Sequence, residues 1–268
     1  MKIVITGTDG FIGQNLYYKV KDEHPIMQLN ENTFDIERWW EILYSFLENF
    51  KPDVIFHVGA CSNTLETDVN YMMTRNYEYT KIVSDYCLNN NVKLIYSSSA
   101  ANYGDNNTFP SNLYGWSKYI AENYVVQNGG IALRYFNVYG PGESHKGQMA
   151  SVAYQMKQKF NKGQIIKLFP RNPKRDFIYI DDVIDANLYA LNFYDDLKGK
   201  WYEVGSGEAR SFEDVLTLMS IPFEYSDEND IPKGYQFFTQ SKQDKWMKGW
   251  NPKINLENGI KNYINYLK

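Results

Sequence analysis

Cysteine is nearly missing from this sequence. The 268 residues include two, Cys61 and Cys87, which excludes a disulfide framework and a cysteine-rich metal site. Histidine is almost as rare, at three, and neither His57 nor His145 sits in a plausible ligand cluster, so no metal is expected. Basic charge is not in excess either: 28 Lys and Arg against 32 Asp and Glu give a net charge of −4, so nucleic acid is not an expected partner. The longest apolar runs, such as 54–61, fall far short of the ~20 residues that cross a bilayer, so no membrane partner is expected. Met1 leads straight into a strand-like run at 2–6, without signal-peptide architecture. What is plentiful is aromatic, at 16% of residues, too much for a disordered chain. At ~150 residues per domain the length suits one large domain or two small ones, with room for a sizeable core. These features predict a folded, cytoplasmic enzyme.

Short apolar runs at 2–6, 25–29, 53–57, 93–97 and 131–135 read as buried strands. Helix-length stretches at 36–50, 65–89 and 112–127 separate them. Such alternation predicts an α/β fold with a doubly wound parallel sheet covered on both faces. Beyond residue 140 the pattern loosens: 147–160 and 181–194 read as helices, 165–169 and 175–180 as strands. Residues 201–204 read as a late strand returning to the main sheet, and 256–267 as a final helix. Asp181 and Asp182 offer the 181–194 helix an N-cap carboxylate.

The first strand runs into Thr6-Gly7-Thr8-Asp9-Gly10-Phe11-Ile12-Gly13, a GxxGxxG loop opening a helix. Gly7 permits the tight turn, Gly10 lets backbone approach a pyrophosphate, and Gly13 allows helix to pack on strand. The helix N-terminus then faces the anion. This predicts a dinucleotide site. The second strand should end in a residue that reads the adenosine ribose, and Asn30 and Glu31 are the candidates, with Asp35 positioned for adenine. An acid there favours NAD, but the choice between NAD and NADP stays open.

Tyr114 and Lys118 in Tyr-Gly-Trp-Ser-Lys are an i, i+4 pair on one helix face. A neighbouring ammonium favours phenolate, so the Tyr114 pKa is expected to fall into the range useful for proton exchange. Ser99, at the end of the fourth strand, can hydrogen-bond the reacting oxygen. Cys61 reads as a small residue at a strand end, with no redox role.

Together TGTDGFIG, SSSAANYG, NLYGWSK and RYFNVYGPG resemble the extended short-chain dehydrogenases/reductases, the nucleotide-sugar branch with a Rossmann fold. Within that branch GACSNT, NYMMTRNYEYTK, HKGQMASVA, KRDFIYIDDV and GYQFFTQ resemble the ADP-glycero-manno-heptose 6-epimerases along the whole chain. The resemblance implies a nucleotide-sugar epimerase with one tightly bound NAD or NADP per subunit in a homo-oligomer. It implies that Tyr114 and Lys146 are the acid/base pair on opposite faces of the sugar, with Ser99 and Lys118 completing the catalytic set. It places Gly7, Gly10, Phe11, Ile12, Gly13, Ala60, Cys61, Ser62, Asn76 and Val138 against the cofactor. Ser99, Asn137, Gln148, Gln155, Phe169, Arg175 and Tyr235 fall where the sugar nucleotide is held. Arg175 suits a diphosphate, which a guanidinium binds bidentately; an ion pair with Asp176 is the structural alternative.

The resemblance also implies a cofactor domain of residues 1–140 plus 176–205 and a smaller mixed α/β substrate domain of 141–175 plus 206–268. Departures stand at Gln148, Gln155 and Pro170-Arg171-Asn172, and the chain is short after the second strand and between Ser99 and Tyr114. A 4-keto-sugar reductase and a non-catalytic cofactor-binding protein are the alternatives. A dehydratase is excluded, because Ala100-Ala101 replace the acidic pair that chemistry requires.

Overall fold

Ile3, Val4, Ile5, Val54, Ile55 and Phe56 are all without exposed surface, as strands must be when helices cover both faces of a sheet. The computed structural model describes residues 1–30, 38–104, 108–231 and 235–267. The strands are β1 (Ile3–Thr6), β2 (Ile26–Leu29), β3 (Val54–His57), β4 (Lys93–Ser99), β5 (Ile131–Tyr135) and β6 (Asn137–Tyr139). They continue with β7 (Ile166–Leu168), β8 (Lys174–Tyr179), β9 (Lys200–Val204), β10 (Ala209–Ser211) and β11 (Phe223–Tyr225). The helices are α1 (Phe11–Val20), α2 (Trp39–Phe50), α3 (Val69–Met73), α4 (Tyr79–Asn90) and α5 (Leu113–Gln127). After them come α6 (Val152–Asn161), α7 (Ile180–Asn192), α8 (Tyr194–Leu197), α9 (Phe212–Leu218) and α10 (Leu256–Tyr266).

The main sheet has the order β2-β1-β3-β4-β5-β9, and every pair in it is parallel. The late strand does return to it, beside β5. Because β1 lies between β2 and β3, the winding reverses there, and a ligand crevice opens at their carboxyl ends. Among the described residues no strand lies beyond β2, so this edge is where the chain is short. Glu31 and Asp35 lie outside the described residues.

One face carries α1 and α7, whose Leu16, Val183, Ala186 and Ala190 join the larger core. The other carries α2, α4 and α5 through Leu43, Leu47, Val83, Ala121 and Val125. A three-stranded sheet, β10-β8-β6, and the pair β11-β7 form a smaller lobe. Fully buried Asp176 binds that lobe together, accepting the backbone N–H groups of Ser206 at 2.6 Å, Gly207 at 3.0 Å and Ser241 at 2.8 Å.

Four expectations need correction. The helix expected at 65–89 is α3, a π-helical turn at Thr74–Glu78, and α4. The helix expected at 147–160 is a 3-10 segment, Ser144–Met149, with a kink at Gly147 (φ 53°, ψ −120°), followed by α6. The helix expected at 181–194 starts one residue earlier as α7, ends at Asn192, and is followed by the separate turn α8. Asp182 does not cap α7; its carboxylate accepts the N–H groups of Lys253 and Ile254, both at 2.9 Å, which anchors the segment leading into α10.

Candidate active site

At the crevice Gly7 adopts φ +69°, and a Cβ there would come 2.6 Å from the Gly59 Cα. A Cβ on Gly13 would lie 2.1 Å from the Gly7 carbonyl oxygen. The loop therefore needs glycine at both positions. Gly10 starts α1 with no side-chain cap and no acid in the first turn, leaving a helix N-terminus suited to an anion. These residues open onto a cavity of 450 Å³. Gly7, Gly10, Phe11, Ile12, Gly13, Ala60, Cys61, Ser62 and Lys146 line it, and so does Asn30 at the end of β2. Uncapped amides, close-packed glycines and a cavity reaching from the loop to Asn30 at the end of β2 and to Lys146 fit a dinucleotide.

Asn76 is not in the cavity wall. It has no exposed surface; its amide accepts the Cys61 N–H at 2.7 Å and donates to the Cys61 carbonyl at 3.0 Å. The same amide donates to the Ser117 hydroxyl at 2.8 Å, and Ser117 donates to the Tyr114 carbonyl at 2.7 Å. It thus joins the cofactor-side turn to the helix of Tyr114 and Lys118. Val138 is half-buried in β6 and is likewise outside the cavity wall.

Asn112 caps α5 by accepting the Gly115 N–H at 2.8 Å, which fixes the helix start two residues before Tyr114. Ser99 ends β4, and its hydroxyl hydrogen-bonds the buried Tyr114 phenol. The expected drop in the Tyr114 pKa does not occur: burial raises it, opposed by the Ser99 hydrogen bond. Burial of the phenol itself is the reason, and Lys118 beside it in the helix is buried too, at 3% exposed. Burial pulls its pKa down to about 7, against the attraction of Glu122 and Cys61. A partly deprotonated amine cannot hold a phenolate as a full ammonium would.

Lys146 stands on the 3-10 segment, with its Nζ 5.4 Å from the centre of the Phe11 ring. Burial lowers its pKa, opposed by Glu143. Fully buried Glu143 accepts Ser151 Oγ at 2.6 Å and the Ser151 N–H. Gln155 is spent on the same segment, donating to the carbonyls of Gln148 at 3.0 Å and Ala150 at 2.7 Å. The Gln148 side chain is exposed. The Thr64 hydroxyl donates to the Met149 Sδ at 3.9 Å.

Farther out, Phe169 and Tyr235 meet edge to face at 5.1 Å, and Arg175 lies 5.3 Å from the Tyr235 ring. Arg175 is 8% exposed and pairs with no carboxylate among the described residues; it donates to the carbonyls of Lys174 at 2.9 Å and Gln236. The Asp176 ion pair is not formed, since Asp176 holds the backbone described above. Asn137 is exposed in β6. Arg171 and Asn172 are left-handed (φ 68° and 49°), and Arg171 binds Glu228 through two hydrogen bonds of 3.1 and 3.0 Å.

Residues 3–205 match the NAD dependent epimerase/dehydratase family. The chain belongs to that family. A Brachyspira hyodysenteriae (strain ATCC 49526 / WA1) protein described as ADP-L-glycero-D-manno-heptose-6-epimerase is 36% identical over 312 aligned positions. That alignment covers 99% of this chain and 98% of the relative, and opens gaps in this shorter chain. The crystal structure of Helicobacter pylori ADP-L-glycero-D-manno-heptose-6-epimerase superposes with a TM-score of 0.85 at 28% identity, covering 99% of this chain and 96% of that one. Thermotoga maritima UDP-glucose 4-epimerase, solved with UDP-glucose, shares the fold with a TM-score of 0.85 at 22% identity, covering 100% and 98%. This chain is therefore a homologue of ADP-heptose 6-epimerases, in a family of NAD-dependent enzymes. Among the described residues no helix is long and apolar enough to cross a membrane.

For a member of the epimerase/dehydratase family, part of the cavity wall escaped the motif reading. Asp9, Asn63, Tyr71, Arg75, Tyr79, His145 and Met149 also line it. Asp9 and His145 lie inside motifs that were recognised, so adjacency was the available signal. Asn63, Tyr71, Arg75, Tyr79 and Met149 also lie inside recognised motifs, but the spacing of apolar residues does not show which of their side chains face the cavity.

Proposed function

We propose that the chain inverts C6″ of an ADP-glycero-manno-heptose through transient oxidation and re-reduction, using one bound nicotinamide cofactor per subunit. The observation that carries this reading is Lys146 in the wall of the cofactor cavity, on an element separate from that of Tyr114, whose helix Asn76 and Ser117 tie to the 60–62 turn of that wall. A bound nicotinamide supplies hydride acceptance and return at the carbon. Lys146, whose lowered pKa favours the neutral amine, takes the hydroxyl proton on one face. After the sugar turns, the Tyr114 phenol, kept protonated by its raised pKa, delivers its proton to the ketone oxygen on the other face as hydride returns. Solvent then returns a proton to Tyr114 and takes one from Lys146, and Ser99 keeps the oxygen in place. A single acid/base group would preserve the configuration, and two allow inversion. Lys118 orients the cofactor ribose. Asn76 fixes the 60–62 turn against the cofactor. Arg175, short of a carboxylate partner, holds the diphosphate, while Phe169, Tyr235 and Asn137 contact the sugar nucleotide.

The smaller lobe, 141–175 plus 206–268, holds the substrate, and 1–140 plus 176–205 the cofactor. The same reading places the enzyme in the cytoplasm as a homo-oligomer. Gln155 holds the segment bearing Lys146 through the Gln148 and Ala150 carbonyls, and the exposed Gln148 side chain is left to the substrate. Incubating purified protein with ADP-D-glycero-manno-heptose, with NAD or NADP added in separate runs, tests the reading by NMR. The L-glycero epimer should appear; its absence with both cofactors would overturn the choice of sugar.

A further inference from the structure

His57 ends β3 with no exposed surface, and it is not part of the cavity wall. Its Nδ1 lies 2.9 Å from Thr6 Oγ1, and its Nε2 lies 2.9 Å from Thr80 Oγ1. The proton order can be deduced from the ends of this chain. Thr80 donates its hydroxyl proton to the Asn76 carbonyl at 2.6 Å, a bond back along the helix at the π turn. That leaves Thr80 Oγ1 as an acceptor, so Nε2 carries the imidazole hydrogen. Nδ1 is then the acceptor and Thr6 the donor. The Gly59 N–H in turn donates to Thr6 Oγ1 at 2.8 Å.

The result is one directed chain: Gly59 N–H to Thr6, Thr6 to His57, His57 to Thr80, Thr80 to the Asn76 carbonyl. Its two ends act on the same turn. Thr6 holds Gly59, and the Asn76 amide holds Cys61 at both its N–H and its carbonyl. Asn76 continues through Ser117 to the Tyr114 carbonyl. An Asn or Gln at position 57 has its donor and acceptor on one end and reaches one threonine only; the imidazole reaches both.

We propose that His57 is a positioning residue that locks the 59–61 turn to the Asn76 segment and, through Ser117, to the helix of Tyr114 and Lys118. This rests on the reading that the turn faces a nicotinamide cofactor. The surroundings keep the ring uncharged: burial pulls its pKa down to about 3, and Lys118 adds to the shift. Tyr79 and Tyr96 close around the ring, with centroids at 4.7 and 5.7 Å.

The first test is nitrogen NMR of the full chain with labelled histidine, using His57→Asn to identify the signal. His57 should remain neutral with hydrogen on Nε2 from about pH 5 to about pH 9, although a free imidazole titrates near about 6.5. Hydrogen on Nδ1, or titration in that range, would overturn the proposal. The second test is the dissociation constant for NAD in Thr80→Val and Thr80→Ser. Thr80→Val should weaken binding by at least about tenfold, and Thr80→Ser should restore it to within about twofold, where a purely structural role predicts lower Tm with unchanged binding. Parental affinity in Thr80→Val would overturn the proposal. Should Thr80→Val not fold, His57→Gln, which keeps the donor to Thr80 and loses the acceptor for Thr6, carries the same expectation. If the parent protein binds neither NAD nor NADP, it is the functional reading that fails, and the NMR result still judges the tautomer.

Discussion

The Tyr263 hydroxyl donates to the buried Glu143 carboxylate at 2.8 Å, joining the last helix to the segment that carries Lys146. Glu143 also holds Ser151, the cap of α6, so one carboxylate fixes the far end of the Lys146 excursion to two helices. Tyr263→Phe should lower stability by about 1.5–3 kcal/mol, the range for a hydrogen bond to a charged group. Urea unfolding measures this, and an unchanged midpoint would show that the bond contributes nothing.

A second buried carboxylate, Glu122, lies on the helix of Tyr114. Glu122 accepts Arg134 Nε at 2.8 Å and Ser98 Oγ at 2.6 Å, and the side chains of the Arg134–Glu122 pair are 7% and 1% exposed. Arg134→Met should cost about 3–5 kcal/mol, because it strands a charge without its partner. Arg134→Met combined with Glu122→Gln should recover much of that loss, which a double-mutant cycle reads directly.

Lys118 makes stability depend on pH. Its folded pKa of about 7 lies below the ordinary 10.5, so between those values the unfolded chain binds more protons. Stability contributed at this site therefore rises as pH climbs from about 7 to about 10.5 and is lowest below 7. Lys118→Met should be more stable than the parent at pH 6, with the advantage shrinking toward pH 10. Thermal unfolding across pH checks both the sign and the window.

Tyr114→Phe and Lys146→Met should each reduce epimerisation on the order of 10²-fold or more, while both proteins still bind NAD. Arg175→Met should act differently, raising KM for the nucleotide sugar with little change in kcat, because a diphosphate is held equally before and during reaction. Steady-state kinetics of the three variants separates the two patterns.

Much of this site is legible in the sequence because its signals are local. Gly7, Gly10 and Gly13 follow a strand, and Tyr114 and Lys118 share a helix face by spacing alone. The main sheet is legible for the same reason, as its strands are short apolar runs separated by helices. What escaped depends on tertiary contacts. The kink at Gly147 and the π turn around Asn76 alter the backbone without changing the apolar pattern. The short strands β6, β10 and β11 are three residues each, below the length at which periodicity informs. The Tyr114 shift went the opposite way because sequence spacing shows a neighbouring lysine but not the burial of the phenol, which raises its pKa.

The central claim is that inversion at C6″ proceeds by hydride transfer and return at one cofactor. The most direct measurement is NMR of ADP-D-glycero-manno-heptose incubated with cofactor-loaded protein in deuterium oxide. The L-glycero epimer should appear with protium retained at C6″, because the hydrogen leaves and returns as hydride without meeting solvent. Deuterium at C6″ of the product would contradict it.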